Sequence, residues 1–151
     1  MTSRSANDPL GDCIVVTGLR KRFADDEVLR GIDLTVQRGE LVGLTGRSGS
    51  GKSTLLHIMG GLDRDYQGQV SLLGQDLGTL SDRELAGLRN RHIGFVFQAF
   101  HLLSHLTCLD NVLLPNAFAS EPLTRREAEQ RAMQALERVS LAGKQIQVQL
   151  L

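Results

Sequence analysis

Gly46-Arg-Ser-Gly-Ser-Gly51-Lys52-Ser53 is the stretch whose residue types and spacing most plainly carry chemistry. It fits G-x-x-x-x-G-K-[ST] without a gap, the phosphate-loop or Walker A pattern. Glycines at 46, 49 and 51 let successive backbone N–H groups turn inward, making a nest for phosphate oxygens at a helix N-terminus. Arg47, Ser48 and Ser50 fill the loop between them. Lys52 supplies a point charge able to reach β and γ phosphates. Ser53 can place a hydroxyl on Mg²⁺, and Thr54 can donate to an α-type phosphate one residue into the helix. The competing reading is a flexible Gly/Ser linker with a solvated lysine. Context decides against it, because an apolar run precedes the loop and an apolar helix follows it.

The elements that must position this loop can be read from periodicity. Cys13 to Gly18 is a β-branched run that predicts a strand, and Asp25-Asp26-Glu27 predicts a hairpin tip. Val28 to Gln37 alternates, with Leu29, Ile32, Leu34 and Val36 interleaved with Arg30, Asp33, Thr35 and Gln37, before a turn at Arg38-Gly39-Glu40. A small antiparallel sheet is expected from this opening third. Leu41 to Thr45 reads as a short buried strand leading into the loop. Lys52 to Leu62 reads as a helix with Leu55, Leu56, Ile58, Met59 and Leu62 on one broad face. Gly68 to Gly74 predicts another strand.

Farther on, Ser81-Asp-Arg-Glu84 has capping-box spacing and predicts a short helix through Leu88 or Arg89. Ile93 to Phe97 reads as a compact apolar strand ending at Gln98. Thr107 to Ala119 suits a helix interrupted near Pro115. Thr124-Arg-Arg-Glu127 is a second capping box, opening an amphipathic helix with Ala128, Ala132, Ala135, Leu136 and Val139 as its apolar stripe. Residues 1–11 read as a loose polar tail, and Lys144 to Leu151 alternates like a strand. The change from β-rich to α-rich sequence near Gln98 predicts two subdomains within one domain.

Composition bounds the possibilities. The 151 residues are 41% apolar and 23% charged, which excludes disordered, collagen-like and disulfide-stapled chains. Seventeen Lys+Arg balance seventeen Asp+Glu, and aromatics are 4%, so neither bulk charge nor base stacking calls for nucleic acid. Cys13 and Cys108 lie far apart in no metal-type spacing and read as small, buried or half-buried thiols. No stretch approaches the roughly eighteen apolar residues of a membrane span, and Met1 to Gly11 lacks the apolar segment of a secretory signal. A reducing, cytoplasmic location is expected.

An Asn-Lys-x-Asp base-reading motif is absent, which argues against a GTPase; lysine occurs only at 21, 52 and 144. A small phosphate-loop kinase would need a basic lid. Arg125, Arg126 and Arg131 lie on a capped amphipathic helix, where their spacing suits a solvated face better. Several further blocks resemble the ATP-binding subunits of ABC transporters, of the bacterial lipoprotein-releasing and macrolide-exporter type. They are Val28-Leu-Arg-Gly-Ile-Asp-Leu34, Arg38-Gly-Glu40, the phosphate loop, and Leu55-Leu-His-Ile-Met-Gly-Gly-Leu-Asp63. Next in the same order come Arg91-His-Ile-Gly-Phe-Val-Phe-Gln98, Phe100-His-Leu-Leu103, Leu106-Thr107 and Asp110-Asn-Val-Leu-Leu-Pro115.

The resemblance implies an α/β P-loop NTPase core with an N-terminal antiparallel β subdomain and the start of a helical subdomain. It implies an ATP-binding core over 12–98, a helical subdomain over 99–143, and ATP with Mg²⁺ as ligands. Gln98 falls where the family has its Q-loop glutamine, expected to touch Mg²⁺ and the attacking water. Phe23 matches the aromatic that stacks on adenine, although packing in a core remains open for it. Phe100, Leu102, Leu103 and Leu106 would dock on a transmembrane permease subunit, with core packing the alternative for each. His101 and His105 have metal-compatible spacing but no carboxylate or cysteine in motif spacing, and read as solvated or partner-facing. A second ATP-binding subunit in a head-to-tail dimer is implied as well. The expected place is the cytoplasm, peripheral at the inner face of the membrane.

Within these 151 residues there is no Leu-Ser-Gly-Gly-Gln signature, no acidic residue after four successive apolar ones as in a Walker B strand, and no histidine beyond His105. Phosphoryl transfer needs metal, phosphate clamp and oriented water together. Hydrolysis by these residues alone is therefore not expected. Two readings stand side by side. The resemblance implies an ATP-binding subunit that energises export or lipoprotein release by membrane partners. The alternative, suggested by the unfamiliar Gln-rich residues 144–151, is a truncated or frameshifted product, a nucleotide-binding remnant without transport activity.

Overall fold

A computed structural model describes residues 11–99, 101–119 and 121–141. The chain divides into two compact units, Met1–Leu85 and Ala86–Leu151.

The first unit is built on a four-stranded antiparallel sheet. Its strands are β1 (Asp12–Phe23), β2 (Asp26–Gln37), β3 (Gln67–Leu72) and β4 (Gln75–Asp76), in the order β2-β1-β3-β4. The expected hairpin is present, with its turn at Ala24–Asp25. β1 runs beyond the predicted Gly18 because that glycine carries a bulge. Its φ is 57°, its N–H donates to Asp33 Oδ1 at 2.7 Å, and the register with β2 shifts between Val16 and Leu19. A bulge inserts one residue and so changes which positions face the core. Val16 is buried before the bulge, whereas Leu19 and Lys21 are buried after it.

Helix α1 (Lys52–Met59) packs on β3 and buries Leu55, Ile58 and Met59. It ends three residues short of the predicted Leu62. Gly61, at φ 66°, closes it: the Gly61 N–H reaches Ile58 O (2.9 Å) and the Leu62 N–H reaches His57 O (2.8 Å). This pair of bonds is a Schellman stop, which favours glycine. Gly61 is also packed so closely that a Cβ would stand 2.8 Å from Leu85 Cδ1. Helix α2 (Asp82–His92) starts at the predicted box, with Ser81 N donating to Glu84 Oε2 at 2.8 Å, and runs past the expected Arg89.

In the second unit, α3 (Cys108–Ala117) and α4 (Arg125–Arg138) pack against each other. Both carry complete capping boxes, Thr107 with Asp110 and Thr124 with Glu127, and Pro115 lies inside α3. Of the predicted α4 stripe, Ala128, Ala132 and Leu136 are buried while Ala135 and Val139 are exposed. Cys13 and Cys108 are half-buried free thiols.

Two predicted strands do not form. Leu41–Thr45 and Ile93–Phe97 carry no ladder hydrogen bonds and lie outside the sheet. A strand buried on both faces is held by neighbours on either edge, and the described residues supply none for either run. Leu41 is 98% exposed and Val96 102%, so apolar runs of the buried type stand in the open.

Candidate functional site

Residues 38–51 join β2 to α1 without regular structure, and glycine backbones shape the join. Gly46, Gly49 and Gly51 have φ of 152°, 77° and 88°. Gly51 is the N-cap of α1 and makes no side-chain cap, and the first turn carries no acidic residue. The first N–H groups of the helix therefore meet no side-chain cap from Gly51 and no carboxylate from the first turn. Together with the helix dipole, they present a site for an anion. Gly51 is also pressed against β2: a Cβ there would stand 2.8 Å from Leu29 Cδ2 and 3.0 Å from Val28 Cγ1.

Lys52 Nζ donates to Gly46 O (2.9 Å), Arg47 O (2.7 Å) and Ser50 Oγ (3.3 Å). The cation is thus held within the loop by the loop's own oxygens. A cavity of about 360 Å³ opens here, lined by Phe23, Val28, Ser48, Gly49, Ser50, Gly51, Lys52, Ser53 and Thr54. That volume falls at the small end of ligand-sized pockets. Eight of the predicted site residues line it. Gly46 and Arg47 contribute through the carbonyls that hold Lys52.

The comparisons with known proteins bear on this loop and its surroundings. Residues 29–150 match the family model described as ABC transporter. The chain belongs to the ABC transporter family. It is 47% identical over 135 residues to the macrolide export ATP-binding/permease protein MacB of Rhodopirellula baltica, covering 87% of this chain and 20% of that one. It is 43% identical over 128 residues to the lipoprotein-releasing system ATP-binding protein LolD of Bacteroides fragilis, covering 85% of this chain and 58% of that one. A solved dimer of the ATP-binding cassette MJ0796, in a post-hydrolysis state bound to ADP and Pi, aligns with TM-score 0.75 at 35% identity. That alignment covers 84% of this chain and 57% of the MJ0796 chain. The ABC fold class expected from the sequence is the one observed, over a chain that spans part of each relative's length.

Within this ABC cassette the remaining candidates fall as follows. Phe23, at the end of β1 and 51% exposed, lines the loop cavity. Gln98 belongs to the second compact unit; it is exposed and follows a segment that forms no strand. Leu102 and Leu103 are exposed and Leu106 half-buried, while Phe100 lies outside the described residues. His101 and His105 share no helix, and His101 packs edge-on against Phe97 with ring centroids 5.0 Å apart. Among the described residues no helix is long and apolar enough to cross a membrane.

Sequence reasoning missed Val28, which lines the cavity, and Lys21, which lies 4% exposed behind Phe23. Lys21 Nζ pairs with Asp63 Oδ2 at 2.9 Å and Asp65 Oδ2 at 3.2 Å and also donates to Asp65 O. Desolvation acts to lower its pKa, but hydrogen bonds and attraction from Asp63 and Asp65 outweigh it and hold the ammonium above its ordinary value. The available signal was its place two residues before Phe23.

Proposed function

We propose that residues 46–54 hold the phosphates of Mg-ATP and that Phe23 stacks on its base. The observation that carries this reading is the uncapped, glycine-closed start of α1 beside a lysine already gathered into the loop. The donor set suits the ligand. Backbone N–H groups and the Lys52 ammonium offer positive charge where phosphate oxygens would lie, and Ser53 and Thr54 add hydroxyls at the cavity wall. ATP supplies the transferable phosphoryl group. This chain's residues bind it, neutralise its charge and turn it. Ser53 would be the loop's ligand for Mg²⁺. Gln98 is assigned to the metal and the attacking water by family resemblance.

In this reading the chain is an ATP-binding subunit of an export or lipoprotein-releasing transporter. It works with transmembrane permease subunits and a second ATP-binding subunit, peripheral at the cytoplasmic face of the membrane. A second reading, binding without turnover by residues 1–151 alone, is favoured by the absence of a signature loop and a Walker B carboxylate from these residues.

Equilibrium binding of a fluorescent ATP analogue with Mg²⁺, with phosphate release followed in parallel, tests both readings. Losing a charge-assisted contact of about 1.5–3 kcal/mol makes Lys52→Ala weaker by roughly 10–150-fold. Equal binding by both proteins would sink the first reading. Lys52-dependent turnover would sink the second.

A further inference from the structure

Phe23 lies beside a hairpin turn, half in solvent, where an aromatic side chain has rotamer freedom to lose on binding. Lys21 restrains it. The Lys21 Nζ stands 4.9 Å from the centroid of the Phe23 ring, within cation–π range. An ammonium has three protons to give, and here its acceptors are Asp63, the Asp65 carbonyl and the Asp65 carboxylate. The acceptors are held in turn. Asp63 Oδ1 takes the Asp65 N–H at 2.9 Å, and both residues follow directly on the Gly61 stop of α1.

We propose that Lys21, clamped by Asp63 and Asp65, is a positioning residue that sets the Phe23 ring as a face for the nucleotide base. The inference rests on the ATP-binding reading above. One eight-residue helix then organises both ends of the ligand site. Its first turn presents the phosphate cradle, and the turn that ends it anchors the support for the base. A cation against the ring also draws ring electron density toward itself, which eases stacking of a π-rich base on the remaining face.

The base and phosphate contributions can be read separately by calorimetric titration of the 151-residue chain with Mg-ATP and with Mg-tripolyphosphate, which lacks a base. Lys21→Met keeps the apolar stem, and the carboxylates it leaves are 25% and 96% exposed, so no charge is stranded in the interior. Phe23→Ala should weaken Mg-ATP by roughly 5–150-fold, the range for loss of one stacked base. Lys21→Met should weaken it about 2–12-fold, the cost of ordering one side chain on binding at about 0.5–1.5 kcal/mol. It should leave tripolyphosphate unchanged and add nothing on a Phe23→Ala background.

Equal weakening toward both ligands, additivity with Phe23→Ala, or no change for Mg-ATP would each overturn the proposal. Should Lys21→Met not fold, Asp63→Ala, which removes the carboxylate paired with Lys21 at 2.9 Å, must show a selective loss for Mg-ATP; no selective loss overturns the proposal. Failure of the ATP-binding reading looks different, because the unaltered chain would then bind neither ligand through Lys52.

Discussion

Two alanine substitutions, Gly49→Ala and Gly51→Ala, separate backbone strain from packing in the phosphate loop. Both glycines have positive φ, 77° and 88°. A residue with a Cβ in that region costs about 1–2 kcal/mol, offset by about 0.4–1 kcal/mol from the stiffer unfolded chain. At Gly49 nothing lies within 4 Å of the new Cβ, so the net loss there is at most about 1.6 kcal/mol. At Gly51 the Cβ meets Leu29 Cδ2 at 2.8 Å and Val28 Cγ1 at 3.0 Å. Overpacking adds about 1–3 kcal/mol, bringing the total to roughly 1–4.6 kcal/mol. Urea unfolding followed by circular dichroism gives both values, provided the slope m is unchanged. Equal losses at the two positions, or a Gly51→Ala loss under about 0.5 kcal/mol, the range of inert surface changes, would refute the packing argument.

The helix caps give further tests. Thr107→Ala removes the acceptor of the Asp110 N–H at 3.0 Å and should cost about 1 kcal/mol in thermal unfolding; no loss would mean the box is ornamental. The hydrogen bonds from Ser81 to Glu84 and from Thr124 to Glu127 hold both carboxyls below the ordinary glutamate value. A depressed folded pKa means these caps contribute fully above the unfolded value and are lost as pH falls through the folded one. Carboxyl-carbon titration by NMR should therefore find both glutamates ionising below free glutamate, and ordinary values would contradict the boxes. Leu41→Ser should be neutral within about 0.5 kcal/mol, because Leu41 is 98% exposed. Ile58→Ala, at a fully buried position, should cost about 2–5 kcal/mol in the same urea assay.

Local chemistry was legible in the sequence wherever neighbours along the chain decide the outcome. The phosphate loop, the capping boxes at Ser81 and Thr124, and the hairpin expected at Asp25-Asp26-Glu27 all depend on residues close to one another in sequence. Even there, Gly60-Gly61 closed α1 earlier than its apolar face suggested, because the left-handed Gly61 outweighs the one further apolar side chain, Leu62. Long-range pairing was less legible. Leu41–Thr45 and Ile93–Phe97 have strand composition, but a ladder needs a second strand, and the described residues offer neither run one. Lys21 was missed for a related reason. Its burial depends on the Gly18 bulge changing strand parity and on Asp63 and Asp65, some forty residues away, coming to meet it.

The central claim, that residues 46–54 form a nucleotide cradle, is tested most directly by amide chemical shifts as Mg-ATP is added to the isotopically labelled chain. The account predicts that the largest changes fall on the N–H groups of residues 49–54 and on the Phe23 ring, and that Lys52→Ala moves their midpoint to roughly 10–150-fold higher Mg-ATP. Changes confined to other residues, or an unshifted midpoint in the Lys52→Ala protein, would contradict it.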